Sequence, residues 1–568
     1  MKRDLAAMAG KTYDLLIIGG GITGCAAAHD AALRGLSVAM VDKDDFGHAT
    51  SSATSKLIHG GLRYLKNFEF SLVRESLRER RTMSFIAPHI VAPIPFLFPC
   101  YAGLRRDNNL TKLVMGMLLY DRLSFDKAKL DDPDRKVPRW EYFNRDGVFK
   151  VEKDVLPRDL TGAAVYYDCQ MWDPNRLTLE FVLAATENGA RVANYAEVVE
   201  LIKDGNTIKG AVVRDRLSDQ THSINARMTV NASGPWADFV SGLLSAEARK
   251  PLVRSQGIHM ITNNITNGHG LVQYTESGRF FFIIPWRDKS LIGTTDTRYE
   301  GDPDKYGVLR KDVEHFLGEV RAVYPGAKDL TLDDISWTYG GLRPIVETET
   351  SVENVNKASR KYEFYDHEVD DGIKGMMSVI GGKYTTSRAL AETLVDKVTE
   401  KMGLPRPARV TRGYVLPGGR IGSWQGLVER LERGYGLSSD DARRWGRPFG
   451  AFAEDLIAAG NENADLGRRP DERQIETLAV VQRAVTEEMA MTVEDMLFRR
   501  SGMGTTGEFS AEAVETVAKH MAGLLGWDDA RLADEIQTNQ EKLRRRNILD
   551  FDDPAPDPHG DASLLQVT

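Results

Sequence analysis

"LLIIGGGITGCAAAHDAALRGLSVAMVDKDD" occupies residues 15–45 of the 568-residue chain and decides its architecture. Tyr13–Ile18 is a short apolar run ending in two β-branched isoleucines, the pattern of a buried parallel strand. Gly19, Gly21 and Gly24 follow with G-x-G-x-x-G spacing. The first glycine permits the tight turn, the second lets backbone approach a pyrophosphate, and the third lets helix and strand pack closely. Gly20, Ile22 and Thr23 complete a helix N-terminus that faces the phosphates. An alanine-rich helix runs to about Arg34, with Gly35 as its natural C-cap. "LSVAMVDKD" forms the second strand; Asp42 at its tip, followed by Lys43, is placed to bind an adenosine ribose hydroxyl. Strand, glycine turn, helix and acid together make this a dinucleotide site rather than a bare β–α turn. A second match at Gly502, Gly504 and Gly507 is preceded by a helical pattern and followed by no acid-tipped strand, so it reads as a loop between helices.

The chain is too long for one compact core, so two or three domains are expected. A composition 42% hydrophobic and 27% charged is that of a soluble globular protein, and a net charge of −8 gives no global case for nucleic-acid binding. Cys25, Cys100 and Cys169 are far apart, which points to a reducing compartment and to no metal site. No signal peptide and no apolar run of about 18 residues is seen. Leu110–Phe125 ("LTKLVMGMLLYDRLSF") is apolar over much of its circumference; it reads first as a buried helix and second as a membrane-contacting one.

The next segment bears on which dinucleotide is bound. "HATSSATSKLIHGGLRYL", residues 48–65, sets Thr50, Ser51, Ser52 and Ser55 around Lys56 and ends, past Leu57 and His59, in the Gly60–Gly61 turn. A flavin dinucleotide presents many acceptors along its ribityl chain and pyrophosphate, which such a loop satisfies. Alone, the segment reads equally as a polar surface loop. Two later segments tip the balance. "ARMTVNASGPWADFV" is a strand that ends in a turn at Ser233 and Gly234. "MMSVIGGKYTTSRALAETLVDKV" is a strand, a Gly381–Gly382 turn and then a helix opened by Lys383, Tyr384 and Thr385. That second helix N-terminus suits a flavin ring edge or the ribityl chain. The nucleotide domain is therefore expected in three pieces, 10–65, 155–240 and 370–400, with a substrate domain at 66–154 and 241–369. Leu404–Pro417 reads as a linker, 405–550 as a helical domain and 551–568 as a disordered tail.

"IGGGITG", "TSSATSKLIHGGLRYL", "NASGPWAD", "GTTDT", "GGLRP" and "GGKYTTSR" occur in the order found in FAD-dependent glycerol-3-phosphate dehydrogenases of the aerobic, quinone-linked type. The chain resembles that family from about residue 12 to 400, and "EMAMTVEDMLFRRSGMG" is similar to its C-terminal domain. The resemblance implies an α/β (α+β) fold. It combines a Rossmann-like FAD-binding domain of the glutathione-reductase/D-amino-acid-oxidase type, an interleaved antiparallel-sheet substrate domain and a helical C-terminal domain. It implies noncovalent FAD, and oxidation of sn-glycerol 3-phosphate to dihydroxyacetone phosphate with hydride passing from C2 to flavin N5. Electrons would go on to membrane quinone from a cytoplasmic, peripheral position on an anionic inner membrane face. Oligomeric state is not readable; a homodimer is one option. The resemblance carries FAD contacts onto the residues named above, from Gly19 to Lys43, Thr50 to Gly60, and Val198, Ser233, Gly234 and Gly382–Thr385. It makes His259 in "RSQGIHMI" the proton acceptor, with Arg343 sharing the work. Arg63, Tyr64, Arg360 and Lys383 become substrate contacts, fixed cations suiting a phosphate dianion.

The chain departs from the family's pattern in three places: "SQGIH" replaces a Lys-Gly-Ser-His-like string, Tyr384 stands where leucine is more frequent, and "TTSR" replaces "TTYR". All three flank the substrate, so a longer polyol phosphate such as erythritol phosphate is an alternative. An oxidase that passes electrons to oxygen is another. A nonenzymatic flavin-binding scaffold has no use for basic residues on Gly-Gly turns.

Overall fold

The computed structural model describes residues 1–103, 109–245, 248, 252–346 and 361–550, with the side chains at 63, 66 and 67 also left undescribed. The expected tail at 551–568 lies outside these residues. The opening stretch folds as its pattern demands. Thr12–Ile18 is a strand buried from Leu15 onward, Ile22–Leu33 is a helix, and Val38–Val41 is a fully buried strand. Gly35 takes φ +87° just past the helix and donates its N–H to the Ala32 carbonyl.

These elements seed the first sheet. Its strands run in the order Tyr362–Asp366, Met376–Gly381, Thr221–Asn231, Thr12–Ile18, Val38–Val41 and Arg191–Ala193. All pairings along this path are parallel except the one at its Tyr362–Asp366 edge. The antiparallel pair Ala196–Asp204 and Thr207–Asp215 extends from Thr221–Asn231. Helices Ile22–Leu33, Pro174–Glu187 and Ser387–Lys401 bury their apolar faces in one cluster against this sheet.

Among the described residues the second sheet has ten strands and is antiparallel apart from the pairing of Gly270–Tyr274 with Val91–Tyr101. The long strands Leu252–Asn263 and Ile335–Val346 pair over almost their whole length. Leu57–Ile58 and Leu160–Met171 also pair within this sheet, although the sequence grouped both with the nucleotide domain. Their buried, period-poor patterns do not reveal which sheet receives them.

From Trp424 to Arg544 the chain is mostly helical, and its core is continuous with the second sheet. Phe498 stacks on Trp337 with ring centres 4.8 Å apart. The loop carrying the second glycine match lies between the Asp495–Arg500 π-turn and the Ala511–Leu525 helix, as expected. Its Gly507 sits so close to Ser336 that a Cβ would come within 2.0 Å of the carbonyl oxygen.

A buried ion cluster ties this helical region to the nucleotide sheet. Asp45 accepts from both terminal nitrogens of Arg500 at 2.7 and 2.8 Å and from Arg499 Nε at 2.8 Å. Burial alone would raise the Asp45 carboxyl, but Arg500 and Arg499 override it and pull the group down to about 2. Removing one partner of such a cluster leaves charge stranded in a dry site. Asp45→Ala should therefore cost about 3–5 kcal/mol in urea unfolding followed by tryptophan fluorescence. A loss under about 1 kcal/mol would show that the cluster does not hold the two regions together.

Candidate active site

One large cavity of about 1240 Å³ runs between the two sheets. At one end lies the glycine turn. Gly19 takes φ +109°, and a Cβ there would meet the Ala232 carbonyl at 2.6 Å. A Cβ on Gly24 would sit 1.8 Å from the Gly19 oxygen, so helix and strand cross with no room for any side chain. Gly21 caps the Ile22–Leu33 helix without a side-chain hydrogen bond, and Ser51 Oγ accepts from the Ile22 amide at 2.9 Å. Asp42 Oδ2 accepts from the Gly20 amide at 2.5 Å. Burial first, and then neighbouring Asp44, pushes the Asp42 carboxyl up to about 7. Its carboxyl oxygens can accept from a ribose hydroxyl. Beside it Val198, Phe239, Val240 and Leu243 line an apolar slot. Uncapped helix end, ribose-seeking acid and apolar slot fit the pyrophosphate, ribose and adenine of a dinucleotide.

The middle of the cavity is walled by Thr50, Ser51, Ser55, Leu57, His59, Ser233, Gly234 and Gly382–Thr385. The Thr385 hydroxyl accepts from the His59 amide at 3.3 Å, joining two of the segments that the sequence placed together. Tyr384 reaches the wall, but its hydroxyl turns into the core to donate to the Pro174 carbonyl at 2.7 Å. Ser52 bonds to the His48 and Ala49 carbonyls and shapes its own turn. Gly20, Gly24 and Gly60 shape the wall without lining it.

Lys56 is placed differently from the sequence expectation. With φ +55° its side chain turns away from the cavity, and Nζ lies 4.4 Å from the Trp286 ring and 5.1 Å from that of Tyr339. The sequence cannot show this, because a left-handed backbone at a non-glycine residue leaves no compositional trace.

The far end carries the titratable groups. His259 lies on Leu252–Asn263, in register with Tyr339 and Gly293. Its ring stacks on Tyr339 at 4.8 Å, and Nε2 is 2.9 Å from Ser55 Oγ. Gly293 makes room: a Cβ there would meet the imidazole at 2.0 Å. Burial, then Arg343 and Lys56, hold His259 well below its ordinary value, so it is neutral at physiological pH. Arg343 stands on the neighbouring strand, and a Cβ on Gly257 would strike its guanidinium. It donates to Thr294 Oγ1 at 3.0 Å and pairs with Asp296 at 3.3 Å, which fixes its direction. Lys383 lies with Nζ 4.7 Å from the Tyr64 ring and donates to Ser76 Oγ. The structure thus brings His259, Arg343, Tyr64 and Lys383 to one cavity. The Arg63 side chain and all of Arg360 lie outside the described residues.

Several contributors escaped the sequence reading. Ser55, assigned to the cofactor, also bonds the histidine. Thr294 and Asp296 belong to "GTTDT", a string noticed without a role. Arg279, Tyr274 and Phe280 line the cavity from the hairpin around Ser277 and Gly278, which carries no recognisable motif. Among the described residues, no group of three or more His, Cys, Asp or Glu side chains is placed to hold a metal.

Comparison with known proteins agrees with this geometry. The model for FAD-dependent oxidoreductases matches residues 14–388, and that for the C-terminal domain of alpha-glycerophosphate oxidase matches 409–532. A glycerol-3-phosphate dehydrogenase of a Synechocystis strain is 34% identical over 97% of this chain and 99% of its own length. The chain belongs to the FAD-dependent glycerol-3-phosphate dehydrogenase family. An aerobic glycerol-3-phosphate dehydrogenase of Staphylococcus aureus is 32% identical, with 86% of each chain covered. The solved glycerol-3-phosphate dehydrogenase of Bacillus halodurans, complexed with FAD, superposes with a TM-score of 0.76 at 27% identity and 96% coverage of both chains. As a member of this family the protein uses FAD, for which the glycine turn is the candidate site.

Gly21 tests that assignment, because its small size leaves only Ser51 Oγ near, at 3.3 Å from a Cβ position. Gly21→Leu should purify colourless, with FAD absorbance near 450 nm reduced about tenfold or more per protein. Full flavin content would remove the pyrophosphate from this turn.

Proposed function

We propose that the protein oxidises sn-glycerol 3-phosphate at C2 to dihydroxyacetone phosphate and passes the electrons to membrane quinone. The observation that carries this reading is a buried, neutral histidine beside a fixed arginine in the cavity that also holds the nucleotide turn. FAD bound there supplies the acceptor for the hydride leaving C2. His259 takes the C2 hydroxyl proton at Nε2, the nitrogen that faces Ser55. Ser55 Oγ occupies Nε2 and Tyr339 stacks on the ring, so the substrate hydroxyl must displace Ser55 to reach a nitrogen whose ring is already held in place. Arg343 stabilises negative charge developing on the oxygen, its direction set by Asp296 and Thr294. Lys383 holds the phosphate, and Tyr64, whose ring lies beside its Nζ, lines the same pocket.

The phosphate role separates cleanly from chemistry. Lys383→Ala should raise KM for glycerol 3-phosphate by about 10- to 100-fold, as expected when a charge-assisted contact is lost, with little change for unphosphorylated glycerol. Equal effects on both substrates would dismiss the clamp.

The acceptor is argued from the surface. The Leu110–Leu123 helix was read first as buried, and the structure corrects this. Only Leu113, Met117 and Tyr120 are buried, while Met115 is 67% and Leu118 56% exposed. Phe125 at 68% and Phe68 at 78% extend the same kind of surface, and Phe68 directly follows the turn that carries Tyr64. Apolar composition looks alike for a core helix and an interfacial one, so sequence could not separate them. Trp140 is half-buried against the core and adds nothing to this surface. No helix among the described residues is long and apolar enough to cross a membrane. Large exposed apolar side chains gathered beside a flavin cavity favour contact with a lipid-soluble acceptor.

Anaerobic bleaching of the flavin by a panel of polyol phosphates, followed by reoxidation, tests substrate and acceptor together. Glycerol 3-phosphate should bleach fastest, and quinone in anionic vesicles should reoxidise faster than air. Met115→Glu with Leu118→Glu should abolish vesicle sedimentation and the quinone advantage. Rapid peroxide release without lipid binding would instead identify an oxidase, and faster bleaching by erythritol phosphate would replace the substrate.

A further inference from the structure

At the adenosine end of the cavity three side chains meet, drawn from both sides of the cleft. Lys43 follows Asp42 at the tip of Val38–Val41, and Trp236 closes the 3-10 turn Gly234–Trp236 after Thr221–Asn231. Asp304 comes from the other side, in the turn Pro303–Lys305 between the Thr297–Tyr299 strand and the Arg310–Val323 helix. Asp304 Oδ1 accepts from Trp236 Nε1 at 2.8 Å and forms an ion pair with Lys43. Lys43 Nζ lies 4.3 Å from the Trp236 ring. Each member touches the other two, and all three line the cavity.

The Asp304 turn is held in place from below. Asp302 accepts the Asp304 amide at 3.0 Å, and Tyr299 donates its hydroxyl to the Asp302 carbonyl at 2.8 Å. Tyr299 in turn packs edge-on against Tyr306. The carboxylate is therefore presented by a fixed turn rather than by a freely moving one. Its position relative to the cofactor follows from Asp42. Lys43 is the residue next to Asp42, so a ribose held by Asp42 would lie beside these three side chains, which line the same cavity as Val198, Phe239 and Leu243.

We propose that Asp304, Lys43 and Trp236 form a clasp between the two sheets that closes over the adenosine half of FAD and limits its escape. The contacts are partly exposed, Asp304 by 55% and Lys43 by 21%, so they add little to fold stability and are screened by salt. A part-exposed pair that must open before a ligand leaves acts on the rate of release instead. Trp236 contributes more than a partner for the acid, because its ring face also holds the Lys43 cation.

The test is FAD release from the purified holoenzyme, followed as the rise in free-flavin fluorescence after large dilution. Asp304→Ala should release FAD about three- to tenfold faster at low salt, the range expected for losing one charge pair and one hydrogen bond. Asp304→Asn keeps an acceptor for Trp236 and loses the charge, so its rate should fall between the two. Raising salt to about 0.5 M should speed release from the unaltered protein and leave Asp304→Ala nearly unchanged. Equal release rates for all three proteins at both salt concentrations would overturn the clasp. Should Asp304→Ala fail to fold, Asp304→Asn decides alone: release as slow and as salt-sensitive as in the unaltered protein overturns it.

Discussion

The crossing of Gly24 over the Gly19 carbonyl is the constraint on which everything else depends. Nothing larger than hydrogen fits there, and so the first helix begins at the cleft, with Gly21 at its cap and the Ile22 amide bonded to Ser51. The Asp42 tip, the Ser51 loop and the Ser233 turn line the same cavity as that helix end. The second sheet has only to supply a wall opposite. A largely parallel sheet and a largely antiparallel sheet of quite different topology thus line one cavity.

At the other end a second constraint governs chemistry. A histidine buried beside two cations cannot easily carry a proton, and burial is the larger reason. Arg343 and Lys56 reinforce it from different directions, one from the cavity and one from behind the Tyr339 ring. The same cations favour an anionic oxygen on the substrate. In the reaction proposed above, one arrangement would keep the base ready and stabilise what it produces.

Much of this was legible in the chain. The glycine turn, Asp42 and the hydroxyl loop speak through local spacing, and His259 and Arg343 through strings a few residues long. What escaped depends on register between distant strands. Ser255 faces Arg343 and His259 faces Tyr339 because two twelve-residue strands pair in one frame, and no local pattern encodes that frame. The turning away of Lys56 depends on a single backbone angle. The exposure of Met115 and Leu118 depends on which side of an apolar helix finds a neighbour. Each is a tertiary outcome acting on residues whose types were read correctly.

The stacking of Phe498 on Trp337 has a consequence for how the molecule can be divided. Trp337 lies two residues before Tyr339 on the strand that supports the histidine, and its outer face is covered by the helical region. A gene truncated after the linker would leave that strand with an uncovered aromatic face and Asp45 without its arginines. The oxidoreductase half is thus not a portable module. Recombining it with a foreign tail would require a replacement that rebuilds both the aromatic contact and the buried charge at once.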